Sequence, residues 1–320
     1  LRWASSPNPP FGGYGPSFVN PKTGQILGAD IMLEYVYFTN RVKYEELHRT
    51  FDSDSEFKLD PTNTCLAGDY LHQGNLFGMA VLGSVDGFSQ LEQHRLIYES
   101  LVKLTLHEVG HTLGLNHNFY ASHLHSFKNI HDRIITEPLG LTSSVMDYVS
   151  ANVNDKPKHH GQFYSTTPGP YDVWAIEFGY TPLLESPTDE KERIELLLSQ
   201  STKNELGFGN DADDMRSPGR GIDPRINVSD MSADPVAYAQ QRMDIVRSLY
   251  PGLKKRYERP GESYHAFTDA FSILNREYSN SAMVISRYVG GVFLDRSLVG
   301  QKGSQKPFRP VPQGKQKWAM

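Results

Sequence analysis

The segment His107–His117 constrains this chain more than any other part of its 320 residues. It reads His-Glu-Val-Gly-His-Thr-Leu-Gly-Leu-Asn-His, so that His107 and His111 are four positions apart. On a helix that spacing puts both imidazoles on one face, one turn apart, where they can bind one tetrahedral Zn²⁺. Glu108 follows the first histidine and lies beside the metal without binding it, where it can take a proton from a zinc-bound water.

Gly114 predicts how this segment continues. Glycine tolerates a positive φ, so the helix can end here and the chain can turn sharply. The turn allows His117 to return to the metal as a third ligand. Three protein ligands leave a fourth position for water or substrate, which is typical of a catalytic zinc site. A downstream glutamate, Glu137, is the alternative third ligand, but Gly114 and His117 make it unnecessary.

Composition excludes several classes of protein. The formal net charge of -5 argues against a general nucleic-acid binder, which needs a basic surface. No apolar run reaches the length of a membrane span, and no signal peptide is found. The single cysteine, Cys65, excludes an internal disulfide and any multi-cysteine metal site. We interpret Cys65 as a packed thiol without a role, and the oligomeric state stays open.

The apolar pattern predicts a mixture of strands and helices. Strands are expected over residues 25–38 and around 77–82, and helices over 41–50 and from Ser89 to Leu113. Residues 118–170 lack periodicity and are predicted to be loops. The later helices are predicted over residues 171–178, 190–198, 234–249 and 262–288, with the third ending before Pro251. The last twenty residues are expected to be extended or mobile.

Two further segments carry a resemblance to a known family. Ser143–Tyr148 reads Ser-Ser-Val-Met-Asp-Tyr, and Pro170–Tyr180 reads Pro-Tyr-Asp-Val-Trp-Ala-Ile-Glu-Phe-Gly-Tyr. Together with the zinc motif HExxHxxGxxH, they resemble the metzincin superfamily of zinc endopeptidases, which has a Met-containing turn (Met-turn) below the metal. Shorter phrases resemble a large bacterial group of uncharacterised, matrixin-related metzincins; they are residues 21–27, 118–119 and 288–291.

This resemblance implies roles for three residues. Met146 would form a hydrophobic base under the three histidines. Tyr148 would approach the zinc or donate a hydrogen bond to the oxyanion of the tetrahedral intermediate. Asp172 would anchor the backbone of the Met-turn, with an ordinary surface carboxylate as the alternative interpretation.

The resemblance also implies the fold class, which is α+β. Residues 1–180 would form a metzincin-like zinc-protease domain, with a twisted, mostly parallel sheet, an active-site helix and a loop-rich lower subdomain. Residues 181–320 would form a mainly helical C-terminal region with an extended tail. The strand and long helix with which metzincin domains begin are not found, so we expect the chain to be a piece of a longer protein.

The function implied is that of a secreted zinc-dependent endopeptidase with one catalytic Zn²⁺. Its partners would be peptide or protein substrates, held extended by addition to an edge strand, and its location extracellular or periplasmic. Two alternatives are open: a catalytically silent metzincin used as a binding or surface-interaction module, and a zinc hydrolase of a non-peptide amide.

Other groups suggest further metal sites. Residues 210–214 (Asn-Asp-Ala-Asp-Asp) carry oxygen ligands at alternate positions, as a Ca²⁺ loop would, but lack the later glutamate at EF-hand spacing. A solvated acidic loop is the simpler interpretation. Several loop histidines could bind a second metal or line a cleft, although we expect them to be solvated; they are His123, His125, His131, His159 and His160.

Overall fold

The computed structural model describes residues 1–5, 12–34, 65–156, 160–214 and 221–320. The helix predicted over 41–50, the last part of the strand region 25–38 and His159 lie outside the described residues. No helix within the described ranges is long and apolar enough to cross a membrane.

The N-terminal strands form a small mixed sheet. Strand β1 (Arg2–Ala4) pairs in parallel with β5 (Met32–Glu34), and β2 (Gly13–Tyr14) pairs antiparallel with β5 on its other side. Between β2 and β5 in the chain, β3 (Ser17–Val19) and β4 (Ile26–Ala29) form an antiparallel hairpin. Within the described residues, β2 is therefore an edge of the three-stranded sheet. The sheet was predicted to be mostly parallel, but the described strands form one parallel and one antiparallel pair.

Helices dominate the rest of the described chain, which makes the fold α+β and rich in helix. In chain order they are α1 (Ala67–Leu82), α2 (Gln90–Thr112), α3 (Arg133–Leu139), α4 (Pro170–Tyr180), α5 (Pro187–Leu198), α6 (Asp211–Asp214), α7 (Pro235–Tyr257), α8 (His265–Ser286) and α9 (Gln313–Ala319). A second antiparallel pair, β6 (Val292–Leu294) with β7 (Phe308–Pro310), lies near the end. The predicted long helix from Ser89 to Leu113 is confirmed by α2.

The strand predicted around residues 77–82 is wrong, because these residues are the end of α1. A short apolar run fits a buried strand and a buried helix equally well. Leu71, Gly74, Gly78 and Val81 are all buried and recur at the three- and four-residue steps of one helix face. A Cβ at Gly78 would lie 2.7 Å from the side chain of Leu96, so this glycine allows α1 to pack closely on α2.

Two predictions for the C-terminal half, the end of one helix and the conformation of the last twenty residues, are also wrong. Helix α7 continues through Pro251 to Tyr257, although proline removes one helical hydrogen bond. Leu249 and Leu253 on either side of that proline are both buried, and their packing offsets the loss. The last twenty residues are not extended, since they contain β7 and α9, and Val311 is only 1% exposed.

The main hydrophobic core draws on residues from both sides of residue 180, including Leu104, Tyr164, Ile245 and Leu274. Arg242 of α7 is 1% exposed and forms an ion pair with Glu277 of α8. Its Nη1 also donates a hydrogen bond of 2.6 Å to the carbonyl of Ala151, which accepts a second from the Tyr238 hydroxyl at 3.1 Å. Helix α7 thus holds the loop that follows Met146. The division into two regions at residue 180 stays a prediction.

Candidate metal centre

Helix α2 carries the first two histidines of the motif. It begins after Ser89, whose side chain accepts a hydrogen bond from the Glu92 amide, and it ends at Thr112. Gly114 then adopts φ 87°, a left-handed conformation that favours glycine. This turn brings His117 back towards the face of α2 that carries His107 and His111.

The three imidazoles face one another closely. The ring centroids of His107 and His111 are 4.8 Å apart, those of His111 and His117 are 4.8 Å apart, and those of His107 and His117 are 5.4 Å apart. One ligand atom from each ring, together with the Sγ of Cys65, lies within 4.8 Å of the others. The structure therefore brings four ligand groups to one point.

Hydrogen bonds outside the cluster orient each ring. In every case Nδ1 contacts an oxygen that can only accept: the Val145 carbonyl for His107 (2.8 Å), the Leu115 carbonyl for His111 (3.1 Å) and the Asp211 carboxylate for His117 (2.6 Å). Nδ1 consequently carries the proton, and Nε2 keeps its lone pair directed at the centre. Such outer contacts are the usual way in which proteins orient metal-binding histidines.

The donor set fits Zn²⁺. The Nε2 atom of His111 is buried and has no hydrogen-bond partner among the described residues, so it has a lone pair available for a metal. Burial, followed by the nearby His117, lowers the pKa of His111 to about 4. Burial likewise holds the pKa of His107 well below its usual range. Both rings are therefore neutral at pH 7, as metal ligation requires.

Glu108 lies fully buried beside the histidines. Burial raises the pKa of its carboxyl to about 7, opposed by a contact with Cys65. Its Oε2 atom has no partner within the part of the chain that the structure describes, and its Oε1 lies 3.5 Å from the Sγ of Cys65. Strand β2 passes directly over it, since a Cβ at Gly13 would lie 2.4 Å from Oε1. A carboxyl group with a pKa near 7 can both accept and donate a proton at neutral pH.

Met146 is completely buried and packs against α2, the helix that carries His107 and His111. Its Sδ atom packs against Gly110 of α2, where a Cβ would lie only 2.2 Å away. The backbone next to it is held by Lys103, whose Nζ donates a hydrogen bond of 2.6 Å to the carbonyl of Val145. That carbonyl also accepts the Nδ1 proton of His107, so it links the Met-turn to the first histidine.

Asp172 of α4 contacts the same turn from the other side. Its carboxylate accepts hydrogen bonds from the Ser144 hydroxyl at 2.5 Å, the Val145 amide at 2.8 Å and the Gly169 amide at 2.9 Å. Burial raises the pKa of Asp172, and these three hydrogen bonds oppose the rise. The side chain is 3% exposed, which is not the environment of an ordinary surface carboxylate.

Tyr148 reaches the centre from the Met-turn. Its hydroxyl lies 2.8 Å from the Nε2 of His117 and accepts a hydrogen bond of 3.1 Å from the Leu66 amide. The same hydroxyl lies 3.5 Å from the Sγ of Cys65, and its ring stacks on Tyr70 with centroids 5.2 Å apart. Tyr148 therefore contacts both the third histidine and the cysteine.

The other candidate groups lie elsewhere. Glu137 forms a surface ion pair with Arg133, away from the four-residue cluster. The predicted acidic loop contains the short helix α6; in it the carboxylate of Asp213 pairs with Arg296, while that of Asp211 contacts His117. Among the loop histidines, the expectation of solvated side chains is wrong for His123, His125 and His160, which are at most 9% exposed.

Sequence reasoning missed two residues that contact the histidines of the motif. Asp211 is separated from His117 by 94 positions, and Cys65 from His107 by 42. No local pattern links such residues, because only the tertiary fold brings them together. The single available signal was that Cys65 is the one thiol of the chain.

Comparison with known proteins supports this geometry. No curated protein and no solved structure matches the chain. A family model described as Met-zincin matches residues 89–320, which include all three histidines, Glu108 and the Met-turn. Since that match covers most of the chain and agrees with the arrangement around Met146, the chain belongs to the Met-zincin family.

Proposed function

We propose that this chain is a zinc-dependent endopeptidase. The observation that carries the proposal is the meeting of three imidazoles with a fully buried glutamate, Glu108, on one helix and the turn that follows it. Membership of the Met-zincin family supports the same chemistry. As the family resemblance implies, we further propose that the chain acts in the extracellular or periplasmic space.

His107, His111 and His117 would hold the metal through their Nε2 atoms. Zinc held there would supply a Lewis acid that polarises the scissile carbonyl and would lower the pKa of a bound water to about 7. Glu108 takes a proton from the attacking water and then passes it to the leaving amine. In the metal-free chain, burial raises the pKa of the Glu108 carboxyl to about 7, and a carboxyl group near the ambient pH can accept and release a proton readily.

Two other features fit a peptide substrate. Strand β2 is an edge of the described sheet and lies directly above Glu108, so a peptide that pairs with its free side would pass close to the metal. The Tyr148 hydroxyl lies 2.8 Å from the Nε2 of His117, and we propose that it donates a hydrogen bond to the oxyanion that develops on the scissile carbonyl.

The test combines metal content with peptide cleavage. We measure the zinc content per chain and the hydrolysis of a quenched-peptide library for the wild type, Glu108→Gln and Glu92→Gln. Glu92→Gln is the control, because Glu92 is a half-buried glutamate at the start of the same helix. We expect about one zinc per chain in all three and cleavage lost only in Glu108→Gln. A chain without zinc would contradict the proposal.

A further inference from the structure

A cavity of about 930 Å³ lies among the described residues of the C-terminal half, between residues 198–208 and residues 294–309. Its volume is within the range of about 300–1,000 Å³ that is typical of ligand pockets. The three histidines, Glu108 and Tyr148 are not among its lining residues, so the cavity is separate from the proposed catalytic site.

The cavity nevertheless begins close to the third histidine. Tyr120, which lines it, comes three residues after His117, so the Cα atoms of these two residues are at most about 11 Å apart. The Nδ2 atom of Asn118 donates a hydrogen bond of 3.0 Å to the carbonyl of Gly207, another lining residue. An extended polypeptide covers such a distance in about three or four residues.

Part of the lining is aromatic. The ring of Tyr171 stacks on that of Phe208 with centroids 5.7 Å apart, and the ring of Trp174 lies 6.0 Å from that of Tyr171. The indole nitrogen of Trp174 donates a hydrogen bond of 3.0 Å to the carbonyl of Leu197, which fixes the orientation of this ring. Such a surface binds an aromatic or apolar side chain by stacking.

The charged side chains of the lining are mostly basic, although the whole chain has a formal net charge of -5. Four basic side chains line the cavity, against two acidic ones. A cleft with an excess of one charge attracts ligands of the opposite charge. The basic residues are Lys203, Arg225, Arg296 and Arg309, and the acidic residues are Asp223 and Asp295.

Two of the basic side chains are neutralised within the protein. Arg225 forms a bidentate ion pair with Asp223 at 2.6 and 3.0 Å, and Arg296 pairs with Asp213. The carboxylate of Asp295 accepts hydrogen bonds of 2.9 and 3.2 Å from backbone amides of its own loop. The acidic groups of the lining are therefore engaged in holding the walls.

The other two basic side chains lack this compensation. The Nζ atom of Lys203 donates a hydrogen bond of 2.9 Å to the neutral amide oxygen of Gln200. The Nε atom of Arg309 is buried and has no hydrogen-bond partner within the described part of the chain. A buried donor of a charged group is costly without an acceptor, so Arg309 indicates that an acidic acceptor belongs beside it.

The two sides of the cavity are linked to each other. The hydroxyl of Thr202 donates a hydrogen bond of 2.7 Å to the carbonyl of Lys302, and the Nε2 atom of Gln301 donates one of 3.0 Å to the hydroxyl of Ser201. These contacts join the segment after α5 to the loop between β6 and β7. The cavity is therefore formed before any ligand arrives, as binding pockets usually are.

We propose that this cavity binds an acidic segment of the polypeptide substrate, in which an aromatic or apolar side chain lies next to a carboxylate. The carboxylate would contact Arg309 and Lys203, and the neighbouring side chain would stack on Tyr171 and Phe208. The short distance to His117 favours a part of the substrate over a separate small molecule as the occupant. The inference rests on the proposed function, since the occupant is part of a peptidase substrate.

The first test is peptide binding to the full chain carrying Glu108→Gln and loaded with zinc, so that the probe is not cleaved. The probes are two acetylated and amidated pentapeptides, Phe-Glu-Tyr-Glu-Phe and Phe-Gln-Tyr-Gln-Phe, titrated by isothermal calorimetry. We expect the acidic peptide to bind at least about tenfold more tightly, with an advantage that shrinks as salt is added. Equal affinities, or no binding of either peptide, would overturn the inference.

The second test locates the site with variants of the same chain. Arg309→Gln and Lys203→Gln should each weaken binding of the acidic peptide by about tenfold or more. Arg259→Gln is the control, because Arg259 is 69% exposed, pairs with Glu262 and does not line the cavity. Circular dichroism shows which variants are folded, and full affinity in either folded cavity variant would overturn the assigned contacts.

The failure of this inference is distinguishable from that of the proposed function. A wild-type chain that binds zinc and cleaves peptides, but whose Glu108→Gln form does not prefer the acidic peptide, would overturn this inference alone. A wild-type chain without zinc would overturn the proposed function, and with it the assignment of the occupant as a substrate.

Discussion

The Nδ1 atom of His117 donates a hydrogen bond of 2.6 Å to the Oδ2 atom of Asp211, 94 positions later in the chain. The last histidine of a compact motif is therefore oriented by a residue from the region beyond residue 180. A carboxylate in this place fixes the ring, keeps Nε2 free of a proton and makes it a stronger base towards a metal.

Removing that charge should weaken zinc binding. We expect Asp211→Asn to lose about 10- to 100-fold in zinc affinity, the range typical of such outer contacts. Competition with a chromophoric chelator measures it. The matched control is Asp213→Asn, in the same short helix but paired with Arg296. Equal affinities for the two variants would remove the role assigned to Asp211.

Asp172 should contribute mainly to the stability of the Met-turn. Replacing it by alanine leaves buried donors of Ser144, Val145 and Gly169 without their acceptor, which costs at least about 2 kcal/mol of unfolding free energy. Urea unfolding of the metal-free chain measures this loss. Asp189 also lies in the first turn of a helix but is exposed, so Asp189→Ala should cost no more than about 1 kcal/mol.

The contact between α2 and the Met-turn leaves no room for a methyl group. Gly110→Ala would place a carbon 2.2 Å from the Met146 sulfur, and we expect a loss of about 1–3 kcal/mol from overpacking. Gly179→Ala is the counterpart in open space on α4, and should instead stabilise the chain by up to about 1 kcal/mol. Thermal unfolding of both variants distinguishes packing from helix propensity; a stabilised Gly110→Ala would contradict the close contact.

Replacing Tyr148 should lower the rate of peptide cleavage without changing zinc binding. Tyr148→Phe is expected to lower kcat/KM by about 10²–10³, the cost of removing one oxyanion donor, with zinc content unchanged. Tyr98→Phe, at a 64% exposed position of α2, serves as control and should keep the full rate. Loss of zinc from Tyr148→Phe would instead indicate a role in building the site.

Acid should destabilise the fold partly through His160. Burial lowers its pKa to about 4, below the value of about 6.5 expected when unfolded. The unfolded chain then binds the proton first, so stability falls as the pH drops from about 6.5 to about 4, with a slope of up to about 1.4 kcal/mol per pH unit for this group.

The check is urea unfolding of the metal-free chain between pH 4 and 7. His160→Phe should show a shallower pH dependence than the wild type. Val284→Ala changes a buried residue of a different apolar cluster that does not titrate, so it should shift stability equally at every pH. An unchanged slope in His160→Phe would contradict the assignment.

Much of the candidate site follows from local sequence because helix spacing and one glycine determine it. The i, i+4 histidines and the positive φ of Gly114 depend on neighbours within a few positions. Cys65 and Asp211 could not be found in this way, since their contacts with the histidines depend on how α1 and α6 pack. The wrong prediction for the end of α1 has a similar cause. A glycine such as Gly78 favours a helix here only because it allows close packing on α2, and the local sequence does not show that contact.

The buried ion pair of Arg242 and Glu277 has a consequence for how related chains can diverge. Exchanging one partner alone leaves an uncompensated charge in the core, at a cost of about 3–5 kcal/mol, while exchanging both for apolar residues can be neutral. The Ala151 carbonyl, which Arg242 holds, lies in the loop that follows the Met-turn. In related folded chains, substitutions of Arg242 and Glu277 should therefore occur together. A substitution of only one of them would also disturb the loop next to the metal site.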